Sequence, residues 1–257
     1  MQNQFTTTVS DILVMVKRNL VRYQRMPRLI VFSFIQPVMF VLLFAYVFGG
    51  AISSGSGQYI QFLLPGILVQ TVLFGSMQTG VGLAEDATHG MIDRFRSLPM
   101  SRAAVLAGRT ISESVRNLFV IIIMTIVGYL IGFRIEHGFF NFILAVLLTV
   151  LFGFAFSWVS AAIGLAVKDV ETAQSAGFVW VFPLAFASSI FVPTATLSGF
   201  LKSFAEHNPI SYTVNVVRAL CIGAPVGNNV WYALIWIIGI LIVFMPLAVN
   251  RYRKISS

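Results

Sequence analysis

The segment FFNFILAVLLTVLFGFAFSWVSAAIGLAV, residues 139–167, decides the fold class, because this long apolar run contains no charged residue. A helix needs about 20 mainly apolar residues to cross a bilayer, and this run is longer than that. The chain as a whole has the same character, since 58% of its 257 residues are hydrophobic and only 10% are charged. Soluble domains carry roughly a quarter charged residues, so this composition fits a protein whose main solvent is lipid.

Five further apolar runs predict an all-α, polytopic membrane protein with six transmembrane helices. The predicted spans are 29–49, 59–83, 117–133, 139–167, 173–192 and 231–249. This pattern divides the chain into a leader at 1–28, a transmembrane domain at 29–249 and a tail at 250–257. No segment has the composition of a separate soluble domain.

The distribution of basic residues orients these spans. Of the 17 Lys and Arg residues, all but Arg134, Lys202 and Arg218 fall in the leader, between spans two and three, after span four or in the tail. By the positive-inside rule, both termini and the segment 84–116 face the cytoplasm, and the segment 192–229 is external. We therefore attribute the net charge of +8 to the orientation of the chain in the membrane and to contact with membrane lipids. No nucleic-acid partner is expected.

The leader has the pattern of an amphipathic helix. Apolar residues recur in it at helical spacing, while arginines mark another face. Such a helix would lie in the inner membrane interface with its arginines toward anionic headgroups. The alternative is a basic topology signal that happens to be helical. The apolar positions are Val9, Ile12, Leu13, Val16, Leu20 and Tyr23, and the arginines are Arg18, Arg22 and Arg25.

The connection between spans two and three contains GMIDRFRSLP, residues 90–99, which predicts a short amphipathic helix. Gly90 and Pro99 would limit it to about two turns, with Ile92 and Phe95 on one face. A solvated loop is the alternative, but a plain turn would not need such an element, so a docking helix for a cytoplasmic partner is favoured. The candidate docking residues are Met91, Ile92, Asp93, Arg94, Phe95, Arg96, Leu98 and Pro99.

A second helix is predicted to start at Ser101, which is a good N-cap residue, and to run into the third span. On this helix, Glu113 stands four residues after Arg109 and three before Arg116. Residues at these spacings are neighbours on a helix surface, so the three side chains could form a charged cluster at the cytoplasmic entrance of the span. The alternative is an ordinary solvated helix face.

The external segment is moderately apolar but too interrupted to cross the membrane. Asn208 and Pro209 break it, Ser211 can cap a short helix, and Gly223 can end one. Two short helices that dip into the outer leaflet fit this pattern. A loop folded on the outer surface fits it equally well.

The sequence lacks the motifs of several classes of enzyme and transporter. It contains no GxxxxGK[ST], HExxH or GxSxG motif, and it has one cysteine, Cys221. The nine acidic residues all map to connections or interface zones, which disfavours a proton-coupled secondary transporter. An intramembrane enzyme would need a nucleophile or a metal constellation, and neither is present in the pattern.

The basic amphipathic leader, the six spans, GMIDRFRSLPMSRAAVLAGR at 90–109 and HNPISYTVNVVRAL at 207–220 together resemble the membrane subunits of type-2 ABC exporters. The resemblance is greatest to the daunorubicin-resistance branch of bacterial drug and lipid exporters. It implies that two six-span subunits, this chain with a second copy or a homologous permease, form the translocation path for a small lipophilic or lipid substrate. It also implies two separately encoded ATPase subunits, so this chain itself would not be an enzyme.

The resemblance also assigns roles to particular segments. The stretch from Met91 to Leu98 matches the helix that couples the permease to the ATPase, and the leader matches the interfacial connecting helix. The outer re-entrant helices would contain Asn208, Pro209, Tyr212 and Arg218. ATP and Mg²⁺ would bind to the ATPase, and no cofactor or metal is expected on this chain. A multi-pass protein of the bacterial inner membrane is implied; polysaccharide export and secondary multidrug transport remain the alternatives.

Overall fold

The computed structural model describes residues 4–25, 27–48, 59–96, 102–167 and 169–255, and none of these residues lies in a β-strand. A π-helical turn, Phe44–Phe48, extends the second helix, and a 3₁₀ turn, Thr194–Thr196, precedes the eighth. The predicted cap Ser101 lies outside the described residues, as do residues 49–58. The helices are α1 (Gln4–Arg25), α2 (Pro27–Leu43), α3 (Tyr59–Thr88), α4 (Met91–Arg96), α5 (Arg102–Ile131), α6 (Phe139–Gly164), α7 (Val170–Phe186), α8 (Gly199–His207), α9 (Pro209–Ile222) and α10 (Asn229–Ile255).

The all-helical, polytopic membrane fold predicted from the sequence is confirmed, and a helix occupies each predicted span. Four of these helices, α3, α5, α6 and α10, are long and apolar enough to cross a bilayer. The other two, α2 and α7, contain 17 residues each. The predicted fifth span extends too far, because α7 ends at Phe186 instead of continuing to residue 192.

The helix α3 lies at the centre of the bundle. Its most apolar stretch is 78% buried within the protein, against 33%, 44% and 22% for the corresponding stretches of α5, α6 and α10. Fully buried side chains such as Leu63, Ile67 and Val72 place α3 in one continuous core with Phe152 of α6 and Val214 of α9. Most of the apolar surface of the other helices therefore remains available to lipid or to a partner subunit.

The backbones of α3 and α6 touch at two glycines. A Cβ atom added to Gly80 would lie 2.4 Å from the carbonyl oxygen of Ser160, and one added to Gly164 would lie 2.2 Å from that of Gly80. Small residues allow this kind of close helix approach in membranes, where packing replaces the hydrophobic effect as the driving force. The Gly80–Gly164 contact thus fixes the position of the central helix.

A second hydrophobic cluster joins α1 and α4 to one end of the bundle, which we call the leader end. It contains Met15 of α1, Ile92 of α4 and Leu106 of α5, together with Trp158 of α6 and Tyr252 of α10. The close packing of α1 on α5 is seen at Gly108, where an added Cβ atom would lie 2.4 Å from the Cβ of Met15. The amphipathic leader therefore packs on the bundle along one face.

Candidate functional site

A cleft of about 450 Å³ opens among α1, α2, α3 and α5 at the leader end. Its volume lies in the range of small-molecule sites. Six ionisable side chains contribute to its lining, together with the phenyl rings of Phe40 and Phe74. The ionisable side chains other than Tyr23 are those of Arg22, Glu85, Arg109, Glu113 and Arg116.

Glu113 is the most buried charged residue of this cleft, with 2% of its surface exposed. Its Oε2 accepts a hydrogen bond of 2.8 Å from Nε of Arg116, one turn further along α5. Its Oε1 accepts a hydrogen bond from the hydroxyl of Tyr23 on α1. Two of the three residues expected in the entrance cluster are therefore brought together, and both carboxylate oxygens are satisfied.

Arg116 connects this ion pair to two further helices. Its Nη1 donates to Oγ of Ser33 on α2 at 2.7 Å, and its Nη2 donates to the carbonyl oxygen of Gly75 on α3 at 3.1 Å. A buried ion pair is tolerated only when hydrogen bonds satisfy the remaining donors, as they do here. The guanidinium group thus joins α2, α3 and α5 at one point.

Arg109 does not join Glu113, although the helical spacing suggested that it would. Its Nη1 instead donates to Oδ2 of Asp86, at the end of α3, at a distance of 2.6 Å. The adjacent Glu85 accepts from Nη2 of Arg22 at 3.0 Å. Glu85 and Asp86 were not predicted as part of this cluster, since their only signal in the sequence is their position as consecutive acidic residues after the second apolar run.

Tyr23 was predicted only as an apolar position of the leader. Burial is the main reason that the pKa of Tyr23 lies well above its ordinary value, and the negative charge of Glu113 raises this pKa further. The phenol therefore stays protonated and acts as a hydrogen-bond donor to the carboxylate. This bond ties α1 to the middle of the charged network.

The predicted docking helix is present as α4. Gly90 takes a left-handed conformation, with φ of +66°, which lets the chain turn between α3 and α4. Leu98 and Pro99 lie outside the described residues, as do the side chains of Asp93 and Arg96. The described part of α4 is a helix of six residues, Met91–Arg96.

Only part of α4 faces outward. Ile92 is 4% exposed, and its side chain packs in the second hydrophobic cluster of this chain. Phe95 is half-buried, and the guanidinium group of Arg18 lies 4.7 Å from the centre of its ring. Arg94 is exposed. Among the described side chains of α4, those of Met91 and Arg94 and one side of Phe95 remain available to a partner.

The expected break at Asn208 and Pro209 separates two short helices, α8 and α9, at the opposite end of the bundle. Asn208, not Ser211, caps α9, because its Oδ1 accepts from the backbone nitrogen of Ile210 at 2.9 Å. Ser211 accepts instead from the backbone nitrogen of Ser189 at 3.0 Å. Gly223 ends α9 in a left-handed conformation, with φ of +78°, as predicted.

The side chains of α9 satisfy the backbone where α7 stops. Nδ2 of Asn208 donates to the carbonyl oxygens of Leu184 and Ala187 at 2.7 and 2.8 Å. Arg218, which is 7% exposed, donates to the carbonyl oxygen of Ser189 at 2.9 Å. Irregular backbone at membrane depth requires such partners. These bonds explain how the chain can leave the helical path at residue 187.

Arg218 also reaches the central helix, while Tyr212 lies elsewhere. Nε of Arg218 donates to the carbonyl oxygen of Phe62 on α3 at 3.0 Å, and its guanidinium carbon lies 3.6 Å from the centre of the Phe62 ring. The ring of Tyr212 contacts Tyr232 of α10 at a centroid distance of 5.0 Å. Arg218 and Asn208 therefore both satisfy backbone carbonyl oxygens beyond or near the end of α7, whereas the side chain of Tyr212 packs against α10.

Comparison with known proteins places these features in a family. The family model described as ABC-2 type transporter matches residues 10–222. The daunorubicin resistance ABC transporter permease protein DrrB1 of Streptomyces coeruleorubidus is 33% identical over 248 residues, which cover 96% of this chain and 88% of that protein. The probable doxorubicin resistance ABC transporter permease protein DrrC of Mycobacterium tuberculosis (strain ATCC 25618 / H37Rv) is 25% identical, over 100% of this chain and 93% of that protein. The inner membrane transport permease YadH of Escherichia coli (strain K12) is 25% identical over 86% of each chain. The chain thus belongs to the ABC-2 type transporter family.

Proposed function

We propose that this chain is the membrane-spanning subunit of an ATP-driven exporter that moves a lipophilic drug or a lipid out of the cell. Family membership supports the exporter class, and the names of two relatives refer to resistance to daunorubicin and doxorubicin. The observation that carries the proposal is the position of α4. This short helix is partly exposed at the leader end and is anchored by Ile92 in the same cluster as α1, α5 and α6.

The anchoring of α4 gives a physical route for force from an ATPase. Gly90 joins α4 directly to α3, whose last turns carry Glu85 and Asp86. These carboxylates bind arginines of α1 and α5, respectively. A displacement of α4 therefore moves α1, α3 and α5 together, because ion pairs and a shared core connect them. We infer that the charged cleft transmits the motion of the ATPase to the spanning helices.

The proposed assembly contains two ATPase subunits and a second permease. ATP and Mg²⁺ bind to the ATPase subunits, since this sequence contains no phosphate-binding loop. The second permease is a copy of this chain or a homologue, and the exposed apolar faces of α2 and α7 are available to it or to lipid. The assembly lies in the bacterial inner membrane, with the leader end of this chain in the cytoplasm.

The orientation can be tested with single cysteines. Cys221 is fully buried and so gives no usable label in the folded protein. We expect a Phe200→Cys variant on α8, where the native side chain is 81% exposed, to react with an impermeant maleimide added outside intact cells. A Thr88→Cys variant at the end of α3 should react only after the cytoplasmic side is opened. The reverse pattern would overturn the proposed topology.

The docking role of α4 is tested by comparing Phe95→Ala with Arg94→Ala. An aromatic anchor at a protein interface commonly contributes about 2 kcal/mol, which corresponds to more than a tenfold change in affinity, whereas an exposed arginine at the rim contributes much less. We therefore expect Phe95→Ala to weaken co-purification with the ATPase and drug-stimulated ATP hydrolysis more than Arg94→Ala does, at matched membrane expression.

A control separates docking from internal packing. Arg18→Ala removes the cation that lies over the Phe95 ring but leaves the sequence of α4 unchanged. If Phe95 acts by binding the ATPase, Arg18→Ala retains most of the co-purification. Full binding and full ATP hydrolysis in the Phe95→Ala variant would contradict both the docking role and the proposed coupling route.

A further inference from the structure

The cleft also contains polar groups that the charged network does not use. Side-chain amides of Asn19, Gln36, Gln70 and Gln78 line it beside the ionisable residues. Gln70 lies 15 residues before Glu85 on α3, which places it about 22 Å further along the helix axis at 1.5 Å per residue. The cleft is therefore elongated, with its ion pairs toward the leader end and Gln70 deep in the bundle.

Gln70 is the clearest sign that the cleft receives a ligand. Its residue surface is 4% exposed, and its Oε1 is buried without a hydrogen-bond partner among the described residues. Nε of Arg109, in the lining of the same cleft, is also buried without such a partner. A buried polar atom left unpaired lowers stability, so these atoms favour a ligand that supplies hydrogen bonds.

The charges of the cleft argue against a charged ligand. Arg22, Arg109 and Arg116 are each paired with a carboxylate, those of Glu85, Asp86 and Glu113 in turn. Three cations and three anions thus neutralise one another within the protein. A ligand with a net charge would have to break one of these ion pairs to find a counter-charge, whereas a hydroxyl group can donate to Oε1 of Gln70 without disturbing them.

The remaining lining is apolar and aromatic. Phe40 and Phe74 face the cleft, and the ring of Phe74 contacts Phe182 of α7 at a centroid distance of 5.6 Å. Phe182 in turn stacks with Phe186 at 5.2 Å, and both rings are more than one-third exposed. An apolar group bound beside Phe74 can therefore extend along this row of rings toward the lipid.

We propose that this cleft binds the uncharged, hydroxyl-bearing head of an amphiphile, with Gln70 accepting a hydrogen bond and Phe40 and Phe74 contacting the apolar part. The identification of this ligand with the exported substrate rests on the function proposed above, but binding to the cleft does not. A sugar or polyol linked to an apolar ring or chain has the required chemistry, because its hydroxyl groups both donate and accept.

The test measures protection of a cysteine inside the cleft by probes that differ only in their heads. The full-length protein carries Gln78→Cys and is placed in phosphatidylcholine nanodiscs without an ATPase. Its reaction with a maleimide is timed in the presence of octyl glucoside, octyltrimethylammonium or octyl sulfate, each below its micellar concentration. We expect octyl glucoside to slow the reaction roughly threefold to tenfold, because it can form one or two net hydrogen bonds with the cleft. The two charged probes should leave the reaction rate nearly unchanged.

Two variants make this result specific to the cleft. Thr88→Cys, on the same helix but outside the cleft lining, should react at the same rate with every probe. Adding Gln70→Met, which keeps the length of the side chain but removes its acceptor, should abolish protection of the cysteine at position 78. Protection of the buried Cys221 from the maleimide would verify that this variant is folded.

Three outcomes would overturn the proposal. These are the absence of protection by octyl glucoside, equal protection by all three probes, and protection that persists in the Gln70→Met variant. Failure of the exporter function has a different signature, because the wild-type chain would then neither co-purify with an ATPase nor stimulate ATP hydrolysis, while octyl glucoside would still protect the cleft.

Discussion

Replacement of Glu113 by Lys is expected to lower the free energy of unfolding by about 3 to 5 kcal/mol, because it leaves one buried cation unpaired and adds another. Glu113 is 2% exposed and holds both Arg116 and the hydroxyl of Tyr23. Total stabilities are commonly about 5 to 15 kcal/mol, so this loss would remove a large share of the stability of the protein. Fluorescence-detected gel filtration after a heating series measures the effect.

The matched control for this change is Glu85→Lys. It reverses the same charge in the same cleft, but the side chains of Glu85 and its partner Arg22 are 39% and 41% exposed. An ion pair with that much solvent contact contributes about 1 kcal/mol or less, so this variant should fold nearly as well as the wild type. Equal thermal stability of the Glu113→Lys variant and the wild type would contradict the assignment of a buried ion-pair network.

The sequence predicted the positions of the helices well, because their signals are local. Each predicted span is an apolar run, and Gly90, Gly223 and the pair Asn208–Pro209 interrupt the chain where helices end or begin. These signals depend on residues close together in the sequence, and they persist in the folded protein. The end of α7 was missed, because its carbonyl groups are satisfied by Asn208 of a helix that comes later in the chain.

The site was predicted less completely, because its contacts join distant helices. Helical spacing placed Glu113 within reach of both Arg109 and Arg116, but it could not indicate that Asp86 on α3 would bind Arg109. Similarly, an amphipathic pattern predicts that Ile92 and Phe95 share a face of α4, but it does not say whether that face turns toward a partner protein. In the structure, the side chain of Ile92 packs within this chain, in the second hydrophobic cluster.

The contact between α3 and α6 leads to the other large effect that we expect. Gly80→Leu should lower the free energy of unfolding by about 3 kcal/mol or more, because the new side chain would begin 2.4 Å from the carbonyl oxygen of Ser160. A backbone atom has no alternative rotamer to adopt, so α3 and α6 must separate along the helix that forms the centre of the core. The same heating series as for Glu113 measures this loss.

Gly239 of α10 provides the comparison for this substitution. It also lies in the interior of a long apolar helix, but apart from the adjacent backbone of that helix no atom of the described residues lies within 4 Å of the position that its Cβ would take. Leu is a better helix former than Gly by as much as about 1 kcal/mol, so Gly239→Leu should leave the thermal stability unchanged or slightly raise it. The two Gly→Leu substitutions are thus expected to have different effects on thermal stability, because the new side chain clashes with backbone at position 80 and has free space at position 239. If Gly80→Leu is as stable as Gly239→Leu, the backbones of α3 and α6 are not in contact at Gly80, and the central position of α3 would have to be explained by side-chain packing alone.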